Sequence, residues 1–119
     1  MATVNIVNVT SITPFTIAGL VTTSATNVID VPADKLYKVN TILIANIDGS
    51  SAADISVAVS PDNGTGYHDI ASTISVPADS TLSLLSTPLY LDETDLLRVL
   101  ASANNDLTYC ISGEILDDA

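Results

Sequence analysis

Basic residues are nearly missing from this 119-residue chain. Lys35, Lys38 and Arg98 stand against 14 acidic side chains, for a formal net charge of −11. A field of that sign repels phosphate backbones, whose recognition needs clustered Lys and Arg, and it repels anionic membrane surfaces. Neither nucleic acid nor a membrane is an expected partner; cationic partners, metal ions and plain solubility stay open. Aromatic residues are scarce as well: no Trp, a lone Phe15 and four Tyr. The core must therefore be aliphatic. Gln is absent, and with so few Lys and Arg the vocabulary of an exposed amphipathic helix is largely missing. Cys110 is the single cysteine, so no internal bridge forms. The start, Met1-Ala2-Thr3-Val4-Asn5, has no basic residue and no apolar run, so no signal peptide is expected. No stretch approaches the ~18 apolar residues of a membrane-spanning helix.

What is present is Val, Ile, Leu, Ala, Ser and Thr, and its β-branched members fit a pleated surface better than a helix. A chain of this length is the size of one domain and folds without a metal, disulfide or cofactor. Apolar and polar residues alternate with period two between turn residues, the signature of strands. The runs are Thr3–Thr10, Phe15–Thr23, Asn27–Val31, Leu36–Ile47, Asp54–Ser60, Tyr67–Val76, Thr81–Ser86, Leu89–Leu91, Asp95–Ala103 and Leu107–Leu116. In Asp54–Ser60, Ile55, Val57 and Val59 share one face; in Tyr67–Val76 the inward series is Ile70, Ile74 and Val76. Leu89–Leu100 has leucines at near-helical intervals, but the alternation around Val99 favours a strand.

Pro61-Asp62-Asn63-Gly64-Thr65-Gly66 is the strongest turn, because Asn-Gly supplies positive φ at little cost. Asn104-Asn105-Asp106 reads as a hairpin turn. Val31-Pro32-Ala33-Asp34 recurs as Val76-Pro77-Ala78-Asp79, each copy followed by an apolar strand, which fits a sandwich whose halves repeat a strand–corner–strand unit. Eight to ten short strands at intervals of about 8–12 residues predict an all-β fold, an antiparallel β-sandwich or a jelly-roll-like one.

The inventory for catalysis is thin. His68 is the only histidine, so a two-histidine metal site is excluded. Gly-x-Ser-x-Gly and the glycine-rich phosphate loops are absent. No catalytic residue is expected, and a hydrolase reading rests only on Ser, His68 and Asp occurring together. Aspartates gather at turns, as Asx side chains do. Asp92-Glu93-Thr94-Asp95 is the best calcium candidate (Asp92, Glu93, Asp95), with Asp62 next, although no Asp-x-Asp-x-Asp-Gly loop exists. Tyr67 and Tyr90 are possible platforms for a sugar. Cys110 falls on the polar phase of its strand with Thr108, Ser112 and Glu114. It reads as a small packing residue, since no basic neighbour in sequence would lower its pKa.

Two runs are apolar in both phases: Leu36–Ile47, through Ile42 and Ile44, and Leu96–Leu100, where Leu96, Arg98 and Leu100 oppose Leu97 and Val99. A two-layer sandwich covers one face of each sheet, so the second face needs cover. A neighbouring subunit is the expected cover because every predicted loop is short. This makes Ile42, Ile44, Leu96, Arg98 and Leu100 the interface candidates, with Arg98 pairing to a carboxylate across the contact.

Val31-Pro32-Ala33-Asp34-Lys35-Leu36-Tyr37-Lys38-Val39 followed by Ile42-Leu43-Ile44-Ala45-Asn46 is similar to stretches of small virion structural proteins of tailed bacteriophages. So is Val76-Pro77-Ala78-Asp79-Ser80-Thr81-Leu82 followed by Pro88-Leu89-Tyr90-Leu91 and Asp95-Leu96-Leu97-Arg98-Val99. The resemblance covers about residues 28–116 as a sandwich core. Residues 1–27 fall outside it, as N-terminal strands or an arm toward a neighbouring subunit. It implies a non-enzymatic accessory particle protein made in the host cytoplasm and resident in the virion. The first expectation is a capsid decoration or cement protein, a homotrimer by analogy, partnered by the major capsid protein. The alternatives are a tail, neck or fibre component, and a calcium- or sugar-binding β-sandwich module.

Overall fold

The computed structural model describes residue 7, residues 9–61 and residues 63–117. Among them there is no α-helix, and the chain forms nine strands. These are β1 (Ser11–Leu20), β2 (Thr26–Asp30), β3 (Lys35–Asn46), β4 (Ala53–Ser60), β5 (His68–Val76), β6 (Thr81–Ser83), β7 (Leu89–Leu91), β8 (Leu96–Ala101) and β9 (Leu107–Asp117). The expected run Thr3–Thr10 lies largely outside the described residues. From Ser11 onward the N-terminal segment pairs within its own chain, on β9.

Two sheets result. The first has the order β1-β9-β3-β6, with β7 also on β3; the second has the order β2-β8-β4-β5. Every pairing is antiparallel, and the pairs nest: β1 with β9, β2 with β8, β3 with β6 and β7, β4 with β5. Successive nested pairs alternate between the two sheets, as when one long hairpin ribbon is rolled around a core. That is the jelly roll. The expected antiparallel sandwich is the architecture observed.

The repeated Val-Pro-Ala-Asp tetrads are the corners that make the ribbon roll. Each carries the chain from the second sheet to the first, β2 to β3 and β5 to β6. Proline ends the ladder, and the aspartate takes the left-handed conformation that Asp tolerates, with φ 66° at Asp34 and 58° at Asp79. Both corners are strapped to a neighbouring turn. Thr94 N donates to Val31 O and Asp34 N to Glu93 Oε2; Asn46 Nδ2 donates to Val76 O and Asp79 N to Asp48 O.

Inner faces meet in an aliphatic core. Ile42, Ile44 and Ile111 of the first sheet face Ile55, Val57 and Leu97 of the second, all fully buried. Each such side chain contributes about 1.5–3 kcal/mol of transfer free energy. Where an aromatic ring enters, it covers glycine backbone: Tyr109 lies against Gly19 on the neighbouring strand. Gly113 lies beside the register shift between Val39 and Thr41, where a Cβ would overlap the carbonyl oxygen of Lys38.

One strand departs from its expected pattern. Ile70 and Ile74 are not core residues; they are 42% and 39% exposed, while Ala71 and Val76 point inward. For Ile70 the cause is a register shift against β4, between Ile55 and Val57, which adds a residue on the β5 side and sets Ala71 opposite Val57. A second shift follows between Val57 and Ala58, while Ile74 stays opposite Ile55 on this edge strand, in phase with Val76. A bulge reverses the facing of the residues beyond it, so simple alternation fails there. Thr73 takes a positive φ of 47° in this stretch, and its N–H donates to Ser56 Oγ at 2.9 Å.

Candidate functional site

Asp92, Glu93 and Asp95 do come together, in the turn between β7 and β8, but as backbone acceptors. Asp92 Oδ1 accepts from Glu93 N at 2.8 Å, Asp95 Oδ2 from Asp92 N at 2.9 Å, and Glu93 Oε2 from Asp34 N at 2.8 Å. Glu93 and Asp95 are buried. Their carboxylates shape the turn and tie it to the first corner. Asp62 lies outside the described residues. Among the described residues no group of three or more His, Cys, Asp or Glu side chains is placed to hold a metal ion. His68 opens β5, exposed, opposite Val59.

At its Ser60–Leu96 end the outer face of the second sheet, where a subunit is the expected cover, is covered by the chain itself. Gly64 takes a φ of 85° after Asn63 at 60°, the paired positive values of a type I′ turn. The segment from Asn63 to Tyr67 then lies back on the sheet. Gly64 N donates to Ser60 Oγ at 2.8 Å, and Gly64 lies against the Leu96 side chain. Leu96, Ala58 and Ser60 are buried as a result. The Arg98 guanidinium stacks 3.8 Å from the centre of the Tyr67 ring. The Tyr67 hydroxyl donates to Asn27 Oδ1 at 3.0 Å. Tyr67 is thereby used in covering Arg98 rather than in offering a sugar platform. Leu100 is half-buried and lines a shallow hollow of about 100 Å³ with Asp54, Ser56 and Thr73, well below the roughly 300 Å³ at which small-molecule sites begin.

Ile42 and Ile44 also need correction as interface residues. Both are 0% exposed in the single chain, because they share the inward phase of β3. The outer phase of that strand holds Thr41, Leu43 and Ala45 instead. Cross-strand register aligns these with β9 and β1 in rows: Leu43–Cys110–Ala18, Ala45–Thr108–Leu20 and Thr41–Ser112–Thr16. The outer face of the first sheet is thus made of small and aliphatic side chains. Two large apolar residues stand on its β1 margin, Ile12 at 59% and Leu20 at 51% exposed.

Charge is balanced on this sheet. The first-sheet strands carry only Lys35, Lys38, Glu114 and Asp117. Lys35 Nζ sits 2.6 Å from Asp117 Oδ2, and Lys38 Nζ 3.8 Å from Glu114 Oε1. The hydrogen bond to Asp117 raises the Lys35 pKa above its ordinary 10.5. The other described acids lie on the second-sheet strands or in turns, such as Asp48, whose carboxylate accepts from the Ser50 N–H and hydroxyl and is held below its ordinary 3.8. A chain of net charge −11 therefore presents one broad face without net charge. The signal for it lies in the sequence: Ser11–Leu20 and Leu107–Gly113 carry no charge at all.

No protein-family model and no curated protein matches the sequence. Solved structures do match the fold. A chain of the disulfide-linked pili that form Bacillus endospore appendages aligns over 92% of this chain and 88% of its own length, at 14% identity and a TM-score of 0.54. A chain of the infectious bursal disease virus particle aligns over 92% of this chain and 32% of its own length, at 8% identity and a TM-score of 0.54. A pentameric capsid protein from metagenomic phage sequences aligns over 87% of this chain and 62% of its own length, at 19% identity and a TM-score of 0.47. What is shared is the fold.

Proposed function

We propose that this chain is a non-enzymatic structural subunit that works by packing its uncharged first-sheet face against other proteins of a bacteriophage particle, as a decoration or cement protein of the capsid. The observation that carries the reading is the charge distribution. An acidic subunit keeps itself soluble, while one face of small, aliphatic and ion-paired residues can be dehydrated at low cost. A jelly-roll core of fully buried Ile, Val and Leu supports the reading, since a shell component has to resist opening. The likeness of the Val-Pro-Ala corners to small virion proteins supports the particle, with the major capsid protein as the partner and the virion as the location.

Quantitative mass spectrometry of gradient-purified virions tests this. A decoration protein is expected in a fixed, high ratio to the major capsid protein, and particles lacking it should open at a lower temperature. Presence in only a few copies per particle would move the chain to the neck or tail. Absence from purified particles would overturn the virion role.

A second reading, a repeating subunit of a filament, is favoured by the pilus chain, which is matched over nearly its whole length. This chain has one cysteine, so a disulfide could join copies in pairs but not in a continuous covalent line. Negative-stain microscopy of the concentrated protein separates the two readings: filaments favour the second, and dispersed particles the first.

A further inference from the structure

Among the described residues, β1 is the one long sheet edge guarded by neither a bulge nor a charge. The second sheet is guarded at β5 by two bulges and Asp69, and at β2 by a register shift and Asp30. On the far side of the first sheet the edge is split between the three-residue β6 and β7, with Pro88 between them. Bulges, charges and short strands are the usual means of blunting an edge. By contrast β1 keeps unbroken register with β9, from Ser11 opposite Asp117 to Leu20 opposite Thr108, and carries no charge.

The parity of β1 is set by its ladder. Val21 N donates to Leu107 O at 2.9 Å, so in this register the odd-numbered residues bond to β9. The even-numbered ones, Ile12, Pro14, Thr16, Ala18 and Leu20, turn their main-chain groups to the open side, and all five are exposed. Pro14 fits this parity, having no N–H to give β9.

We propose that β1 pairs antiparallel with β1 of a second copy across a two-fold axis at Thr16. The strand is self-complementary about that residue. Ile12 falls beside Leu20 of the partner subunit, and Leu20 beside the partner's Ile12, so the two large apolar side chains exposed on β1 cover one another. Pro14 falls beside the partner's Ala18. This pairing forms about eight inter-chain hydrogen bonds, within the range of specific interfaces. Ten residues give a contact about 34 Å long. Charge selects this approach as well. Two chains of net charge −11 repel, and the open margin of β1 is uncharged; among the described residues, the acids of the neighbouring β9, Glu114 and Asp117, are each beside a lysine. The two first sheets become one continuous sheet, and a two-fold pair replaces the trimer that the virion resemblance implies. This deepens the assembly reading by naming one partner; particle association tests that reading and chain mass tests the pair, so each can fail separately.

Sedimentation velocity on the full chain should give twice the 12.3 kDa chain mass. Thr16→Pro removes the central N–H donors without touching the β9 ladder and should weaken the pair at least tenfold. In a Cys110→Ser background, Thr16→Cys should form a disulfide-linked dimer under mild oxidation. Directly opposed residues of a hydrogen-bonded pair have Cα atoms about 5.5 Å apart, which suits a disulfide. Ala18→Cys should not cross-link, since its two copies lie about 14 Å apart in this register. If Thr16→Pro fails to fold, the cysteine pair still decides. A monomer or a trimer at tens of micromolar, or equal cross-linking from both positions, would overturn the proposal.

Discussion

Gly113 and Asn46 show how single residues hold the roll closed. Gly113 runs between Phe15 on one side and Val39 on the other, and any side chain there meets the Lys38 carbonyl at the register shift of β3. Backbone cannot yield as a flexible side chain can, so Gly113→Ala is expected to cost about 3 kcal/mol or more, read as a fall in chemical-denaturation midpoint or as insoluble protein. Asn46, nearly buried, donates to Ser51 O and Val76 O and accepts from Asp48 N, holding the second corner from inside. Asp48 then accepts from Ser50. Because its folded pKa lies below 3.8, its contribution is fully present above that value and is lost as pH falls through the folded pKa. The wild type should therefore lose more thermal stability than Asp48→Asn between about pH 5 and pH 2.5, and parallel losses would show that the turn does not depend on this charge.

At the scale of elements, the Asn63–Tyr67 segment acts as a lid made by the chain for the Ser60–Leu96 end of its own second sheet. Tyr67 joins it to Arg98 by ring stacking and to Asn27 by its hydroxyl. Tyr67→Phe keeps the stacking and should cost under about 1 kcal/mol, whereas Tyr67→Ala uncovers Arg98 and loosens the lid above Leu96, for about 2 kcal/mol. Urea titrations of both variants check the order, and equal losses would mean that the hydroxyl, not the ring, holds the lid. Strands, corners and the Asn-Gly turn are legible in the sequence because period-two alternation and turn chemistry are local signals. The lid is not, since turn residues predict a reversal and say nothing of whether the excursion lies back over the sheet. Nor are the β5 bulges, because Thr73 at positive φ depends on Ser56, a residue on another strand. The interface candidates fail for a related reason. Ile42 and Ile44 look like spare apolar surface, yet they fill the core, and the outer face is marked by missing charge rather than by apolar side chains.

Charge asymmetry governs the whole molecule. Of the described acids, those on the first-sheet strands are each beside a lysine, and the rest are spread over the second sheet and the turns. Any contact through the first sheet brings two strongly acidic bodies together while burying little unbalanced charge at the contact itself. The opposing term is then long-range repulsion, which salt screens with a Debye length of about 20 Å at about 0.02 M and about 8 Å at about 0.15 M. The attractive terms, apolar burial and strand pairing, are nearly indifferent to salt over that range. Self-association should therefore tighten at least tenfold between about 0.02 and 0.15 M NaCl, measured by sedimentation equilibrium. An interface built on Arg98 and Lys pairing to carboxylates across the contact would weaken over the same range. The sign of the salt dependence thus separates contact through an uncharged face from contact through charge pairs, and a weakening would reject the first-sheet face as the surface of assembly.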